Sequence, residues 1–421
     1  MDSAIKFSVI IPTRQRPDTL EHCLKTVTAQ KYHNLDIIVS DNFSEDHTDK
    51  LIRSYQQKDS RIKYLNTGKR VSMSHNWEFA LSHVKDGWVT IIGDDDALLP
   101  SAISRVSSII QNNNNVYAVQ SSLCKYSWPS LNSNRNSYFT VPIKKGYEIR
   151  DCKKWLLKVM NGTASYDQLP MLYQGGFVSM DIINKLKKED AKGIFYKSMI
   201  PDVYSAIALA LFLDKYLYLY EPLAINGASH HSTGTSHFKN KNTYNSPVQK
   251  FYSEGNIPIH KSLQLECTKK FTESLQVMVY ESYLQATFLH YRKNLKINMN
   301  KQLNLALISA KDQHYDEVEK WVNLILEKHG IKLNFLQSNT LQMLRIFYKT
   351  KQILFVINTF FNTRGINLFD MELSNVYEAS IVAKTIWMSE NKYGYSRIRK
   401  ILYKTKSLFA KNYNTLSNKS K

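Results

Sequence analysis

An α/β fold, with a mixed and mainly parallel sheet followed by a mostly α-helical C-terminal region, is what this sequence predicts. Three observations carry that reading. Short apolar runs rich in β-branched residues (FSVIIP, LDIIVS and WVTIIG) alternate with segments of helical apolar spacing through the first 110 residues. Each run ends in a polar cluster, at Thr13 and Arg14, at Asp41 and Asn42, and at Asp94 to Asp96. After about residue 245 the alternation stops, and apolar positions recur at helical spacing in 263–291, 303–328 and 341–361.

Phe7 to Pro12 is the first expected strand. Pro17 then opens a helix, a position where its fixed φ and missing N–H do no harm, with Leu20, Cys23, Leu24 and Val27 on one face. Leu35 to Ser40 is the second strand, and Ser44 suits the N-cap of a helix carrying Leu51, Ile52 and Tyr55. A short strand around Ile62 to Leu65 follows, then a helix with Trp77, Ala80, Leu81 and Val84 on one side, which leads into the strand Trp88 to Ile92. Such alternation implies right-handed crossovers and parallel pairing. The three polar clusters then meet at one rim, where ligands of these sheets gather.

Asn112 to Asn136 is rich in Asn and Ser and reads as loops around a strand near Val116 to Gln120. Gly175 and Gly176 mark a place where a ligand could approach the backbone closely. Helix Val203 to Leu213, strand Tyr216 to Tyr220 and a small-residue loop, Asn226 to Ser236 with His230 and His231, complete the first unit. A boundary near Ser246 and Pro247 gives two domains, 1–245 and 246–421.

Charge and cysteine usage exclude several classes. The net charge of +20 is concentrated in the second part, +14 over 241–421 against +6 over 1–240, a field that favours phosphates of any kind. Residues 391–421 hold nine Lys or Arg and no acid, with Ile398, Leu402, Leu408 and Phe409 between them, which suits an anionic membrane surface. The four cysteines show no zinc-ligand spacing, and no apolar run approaches the roughly 20 residues that span a bilayer. A reducing, cytoplasmic setting is expected, peripheral to the inner face of the cell membrane.

Asp94, Asp95 and Asp96 carry the chemistry. Three adjacent carboxylates at a strand end repel and raise one another's pKa, so they are comfortable mainly beside a hard divalent cation or abundant water. The alternative is an acidic turn whose last Asp caps the helix near Pro100. Neither GxGxxG nor GxxxxGK[ST] occurs. A phosphate would therefore be held by a metal on the carboxylates, helped by Arg14, Lys69 and Arg70.

In this order and spacing, FSVIIPTRQRPDTL, IIVSDNFSEDHT and WVTIIGDDDALLP resemble a family 2 glycosyltransferase of GT-A fold, bacterial polysaccharide-type; MIPDVYSAIALAL and GASHHSTG resemble two later stretches of it. The resemblance implies a Rossmann-like sheet that binds a nucleotide-diphosphate sugar with Mg2+ or Mn2+. It places Pro12, Thr13 and Arg14 in the nucleotide pocket, Asp41 on the nucleobase, and Asp94 to Asp96 at a DXD-type site. Gly93 stands where a first Asp is common, so either Asp94 or Asp95 joins Asp96, the expected metal ligand, with His231 as a further one. Asp202 is the expected general base, with Asp167 in reserve; as an alternative Asp202 merely caps its helix. The implied activity is inverting sugar transfer to a glycan or lipid-linked acceptor in surface polysaccharide synthesis. Residues 246–421 would serve acceptor, membrane-surface or homo-oligomer contacts. The alternatives are a nucleotidyltransferase, which would normally show a glycine-rich loop that PTRQRP lacks, and a nucleic-acid-binding protein driven by the basic second part; for the transferase no nucleic-acid partner is expected.

Overall fold

A computed structural model describes residues 5–129, 138–230, 251–265 apart from 253 and 255, 271–331, 342–350, 353, 362–367 and 373–393. Its centre is a parallel group of four strands: β1 (Phe7–Thr13), β2 (Leu35–Asp41), β3 (Ile62–Asn66) and β4 (Trp88–Ile91). They lie side by side as β4-β1-β2-β3. Helices α1 (Pro17–Thr28), α2 (Thr48–Gln56) and α3 (Met73–Ser82) make the crossovers.

The unbroken apolar runs follow from burial on both faces. Phe7, Val9 and Ile11 point into one cluster with Leu20, Cys23, Leu24 and Val27 of α1, and with Ile103 and Val106 of α4 (Ala102–Gln111). Ile10, Ile38, Val89 and Ile91 point into the other, against Trp77, Ala80 and Leu81 of α3.

Beyond β4 the sheet becomes mixed. β5 (Ala97–Leu98), β6 (Ala118–Ser127), β7 (Tyr138–Pro142), β8 (Tyr147–Asp151), β9 (Gly176–Ser179), β10 (Lys215–Ala228) and β11 (Thr363–Asn367) extend it in the order β11-β7-β6-β9-β4. β10 runs parallel to β6 and antiparallel to β5 and β8. Helices α5 (Cys152–Met160), α6 (Met180–Glu189) and α7 (Pro201–Phe212) cover this half.

Past residue 271 the described chain is mostly helical, as expected, but it does not stand apart from the sheet. Helices Leu275–Gln285, Met299–Ser309 and Tyr315–Lys328 share a core with α5 and α7. Helix Val376–Tyr393 packs Val376, Ala379, Val382, Ala383 and Ile386 against Leu99, Tyr126, Trp128 and Ile225, and β11 pairs with β7. The expected boundary at 245/246 and the basic tail beyond residue 393 lie outside the described residues. Among the described residues no helix is long and apolar enough to cross a membrane.

Four local expectations are corrected. The chain from Asn112 to Asn136 is not loops around a short strand, because β6 runs ten residues through it. Its Gln120 and Ser121 are buried between neighbouring strands, so composition concealed a central strand. Ser44 does not cap α2, whose N-cap is His47; its backbone N–H binds Asp41 Oδ1 instead. Asp96 does not cap α4, which begins after Ser101 in the left-handed region at φ 63°. What crowds Gly176 is the chain itself: a Cβ there would sit 1.9 Å from the Met171 carbonyl oxygen.

One buried carboxylate joins α7's approach to the helical region. Glu281, fully buried in helix Leu275–Gln285, accepts from Ser198 Oγ, from His260 N–H at 2.9 Å and from Gln285 Nε2 at 2.8 Å. Burial pushes its pKa up to about 7, only partly opposed by these donors. The unfolded chain releases this proton at lower pH than the folded one. Stability is therefore expected to fall as pH rises from about 4.5 to about 7, by up to about 3 kcal/mol, and then to level off. Urea midpoints of Glu281→Gln across that range should fall less than those of the wild type by about this amount, the remainder belonging to other raised carboxylates such as Asp95.

Candidate active site

The strand ends named by the sequence do meet. Thr13 lies opposite Asp41 in the β1–β2 register, and β4 brings Gly93 to Asp96 alongside. A cavity of about 290 Å³ opens at this rim, lined by Pro12, Thr13 and Arg14, by Asp94, Asp95 and Asp96, and by Asp202. The walls include Trp77, Tyr166, Tyr173 and Gln174.

The three aspartates are not equivalent. Asp94 accepts from Thr13 Oγ1 at 2.8 Å and from Arg16 Nη1 at 3.0 Å, which ties the end of β4 to the loop after β1. Asp96 is saturated by the protein. Its Oδ1 accepts from Gly227 N–H at 2.8 Å and Gln174 Nε2 at 3.2 Å, and its Oδ2 from Gly93 N–H at 2.8 Å and Gln174 Nε2 at 3.0 Å. Asp95 accepts from Ser229 Oγ at 2.7 Å through Oδ2, while Oδ1 has no hydrogen-bond donor among the described residues. Burial, then the charges of Asp96 and Asp94, push its pKa up to about 7. With one Asp95 oxygen lacking a donor and two further carboxylates beside it, the donor set fits a hard divalent cation through Asp95.

β5 and β10 hold this turn in place. The antiparallel pairs Ala97–Ile225 and Leu98–Ala224 set Gly227 beside Asp95 and Asp96, and Trp128 Nε1 donates to the Asp95 carbonyl at 2.9 Å.

Asp202 lies in the first turn of α7 rather than at its cap, which is Ile200. Its Oδ2 accepts from Tyr166 Oη at 2.9 Å, and burial raises its pKa above the usual aspartate value. Its carboxylate also accepts from the first-turn N–H groups of Asp202 and Val203. Asp167, on the neighbouring turn, does not line the cavity; its Oδ1 is buried without a hydrogen-bond partner among the described residues.

Other expected site residues fall elsewhere. Asp41 is fully buried and committed to Ser44 N–H, Tyr64 Oη and Asn66 Nδ2, so Asn42 rather than Asp41 lines the cavity. Lys69 is exposed away from the lining, and Arg70 donates to Gln15 at 3.1 Å. His231 lies outside the described residues. Arg14 does line the cavity, paired there with Glu254 from the distant second part. Arg16, Gln174, Tyr166 and Gly227 went unnoticed as site residues. Only Gly227 and Gln174 carried a signal, as parts of glycine-containing dipeptides at strand ends.

Residues 8–166 match the family described as Glycosyl transferase family 2. A GalNAc(5)-diNAcBac-PP-undecaprenol beta-1,3-glucosyltransferase of Campylobacter jejuni is 38% identical over 114 residues, which are 27% of this chain and 36% of that protein. Abequosyltransferase RfbV of Salmonella typhimurium is 27% identical over 113 residues, 26% of this chain and 34% of that one. The chain thus spans about a third of the length of these curated relatives. Among solved structures, Staphylococcus aureus TarS 1-349 with UDP-GlcNAc aligns at 14% identity and TM-score 0.43, over 78% of this chain and 93% of that one. Mannosyltransferase PcManGT from Pyrobaculum calidifontis, with GDP-Man and Mn2+, aligns at 13% identity and TM-score 0.39, over 84% and 87%.

Proposed function

We propose that this protein is an inverting, metal-dependent glycosyltransferase that moves a sugar from a nucleotide-diphosphate donor to a glycan or lipid-linked acceptor in surface polysaccharide synthesis. One observation carries the reading: a buried acidic trio and a separate, basicity-enhanced carboxylate, Asp202, face a single cavity. The family of residues 8–166 and the curated relatives supply the reaction class.

In the proposed reaction the acceptor oxygen forms a bond to the anomeric carbon while the bond from that carbon to the diphosphate oxygen breaks. The electron pair leaves with the nucleoside diphosphate, and the acceptor proton passes to Asp202. The raised pKa of Asp202 makes it a better base than an ordinary aspartate, and Tyr166 fixes its rotamer. A divalent cation bound at Asp95 would neutralise charge on the departing diphosphate. Asp96 holds the turn rather than the ion. Asp94 keeps Thr13 and Arg16 facing the cavity, where Arg16 and Arg14 add positive charge for the phosphates.

A panel of nucleotide sugars screened by thermal shift with and without Mn2+ tests this. Stabilisation by one donor class is expected only with Mn2+, and Asp95→Asn should abolish it. Equal stabilisation without the metal, or an unaltered response in Asp95→Asn, would sink the assignment.

A further inference from the structure

One helix, residues 342–350, turns its arginine toward the protein and a row of large apolar side chains toward solvent. An ordinary surface helix does the reverse. Met343, Ile346 and Phe347 are 67%, 62% and 58% exposed, and at about 100° per residue they fall on one side of the axis. Ile353, a few positions on, is helical and 59% exposed.

The opposite side is committed to the protein. Arg345, whose side chain is only 13% exposed, donates to the carbonyls of Leu307 at 2.6 Å and Ala310 at 3.2 Å and to Asp312 Oδ1 at 2.8 Å. Its guanidinium also lies over the Tyr315 ring, 4.3 Å from the centroid. It thereby serves the carboxyl end of helix Met299–Ser309, where carbonyls lack intrahelical donors. Lys349 reaches the same Asp312 at 2.9 Å, and Leu344 and Tyr348 are half-buried. The helix is held by this side, and the apolar row faces away from it.

We infer that the row is a docking surface and that its occupant is an anionic lipid bilayer, with Met343, Ile346, Phe347 and Ile353 dipping into the headgroup boundary. The inference stands apart from the transferase reading. Two observations choose the occupant. The first is charge: from Lys328 to Phe369 the sequence holds six Lys or Arg and no Asp or Glu, which complements acidic headgroups. Asp312, the acid beside the helix, is already answered by Arg345 and Lys349. The second is extent. Four side chains fall far short of the roughly 20–30 residues a side that a stable protein interface uses. A nucleic acid would match the charge and leave the apolar row uncovered. Because its other side is packed on the protein, the helix lies along the membrane surface and does not cross it.

Co-sedimentation of the full chain with vesicles tests this, comparing pure phosphatidylcholine with equal parts of phosphatidylcholine and phosphatidylglycerol. Wild type is expected to partition at least about ten-fold more strongly onto the anionic vesicles. Met343→Gln combined with Ile346→Gln keeps net charge and helix propensity, and should lower that partitioning by about ten-fold or more at an unchanged urea midpoint. Met343→Trp should add a blue-shifted emission component that appears only with anionic vesicles, and it decides the matter if the double variant loses stability. Undiminished binding by a stable double variant overturns the inference and leaves basic charge alone responsible. So does equal partitioning onto both vesicle types, or the absence of a lipid-dependent shift in Met343→Trp. A wild-type dimer in light scattering that the double substitution dissociates would overturn it too, making a second copy the occupant.

Discussion

Asp202→Asn is expected to lower kcat by about 10²–10⁴-fold while leaving Mn2+-dependent nucleotide binding within a few-fold of wild type. The substitution keeps the shape of the side chain and an oxygen for the Tyr166 hydroxyl, whose bond to Asp202 is 2.9 Å. What it removes is the site that accepts the acceptor's proton. Asp167→Asn is the matched control: Asp167 sits outside the cavity, so the rate should stay within about three-fold. Single-turnover rates and nucleotide titrations on both variants decide the matter. Comparable losses in the two, or a weakened nucleotide affinity in Asp202→Asn with the rate intact, would take the base role away from Asp202.

Gly227→Ala should cost the most stability of any single methyl added near the site. An ideal Cβ at Gly227 would lie 1.8 Å from the Asp95 carbonyl oxygen and 3.0 Å from Trp128 Nε1. Neither can give way cheaply, because Trp128 Nε1 donates to that same carbonyl and Gly227 N–H is one of the donors that hold Asp96. Overpacking costs about 1–3 kcal/mol, and losing a hydrogen bond to a buried charge about as much again. A loss of about 3 kcal/mol or more in urea unfolding, together with lost nucleotide binding, is expected. Gly365→Ala, where nothing among the described residues lies within 4 Å, should change stability by less than about 0.5 kcal/mol.

The parallel half of the fold was legible because each strand there is buried on both faces and each helix shows its apolar stripe. Val9, Ile37 and Val89 needed no partner information to be recognised as strand residues. β6 escaped because its Gln120 and Ser121, polar residues that suggest a loop, are buried between neighbouring strands, which no local pattern reports. At the site, residue types were readable but their division of labour was not. Asp95 and Asp96 are adjacent and chemically identical; only the arrival of Gly227 and Gln174 from far along the chain makes one a scaffold and leaves the other available. The same holds for Asp41, whose commitment to Tyr64 and Asn66 depends on β3 lying beside it.

The packing of helix Val376–Tyr393 has a temporal side. Trp128, which steadies the acidic turn, and Tyr126 beside it are sealed by Val376, Ala379 and Val382, residues made about 250 positions after them. During synthesis the front of the sheet can pair early, yet its rear stays uncovered until helix Val376–Tyr393 leaves the ribosome. A premature stop before residue 376 would leave Tyr126 and Trp128 without that backing.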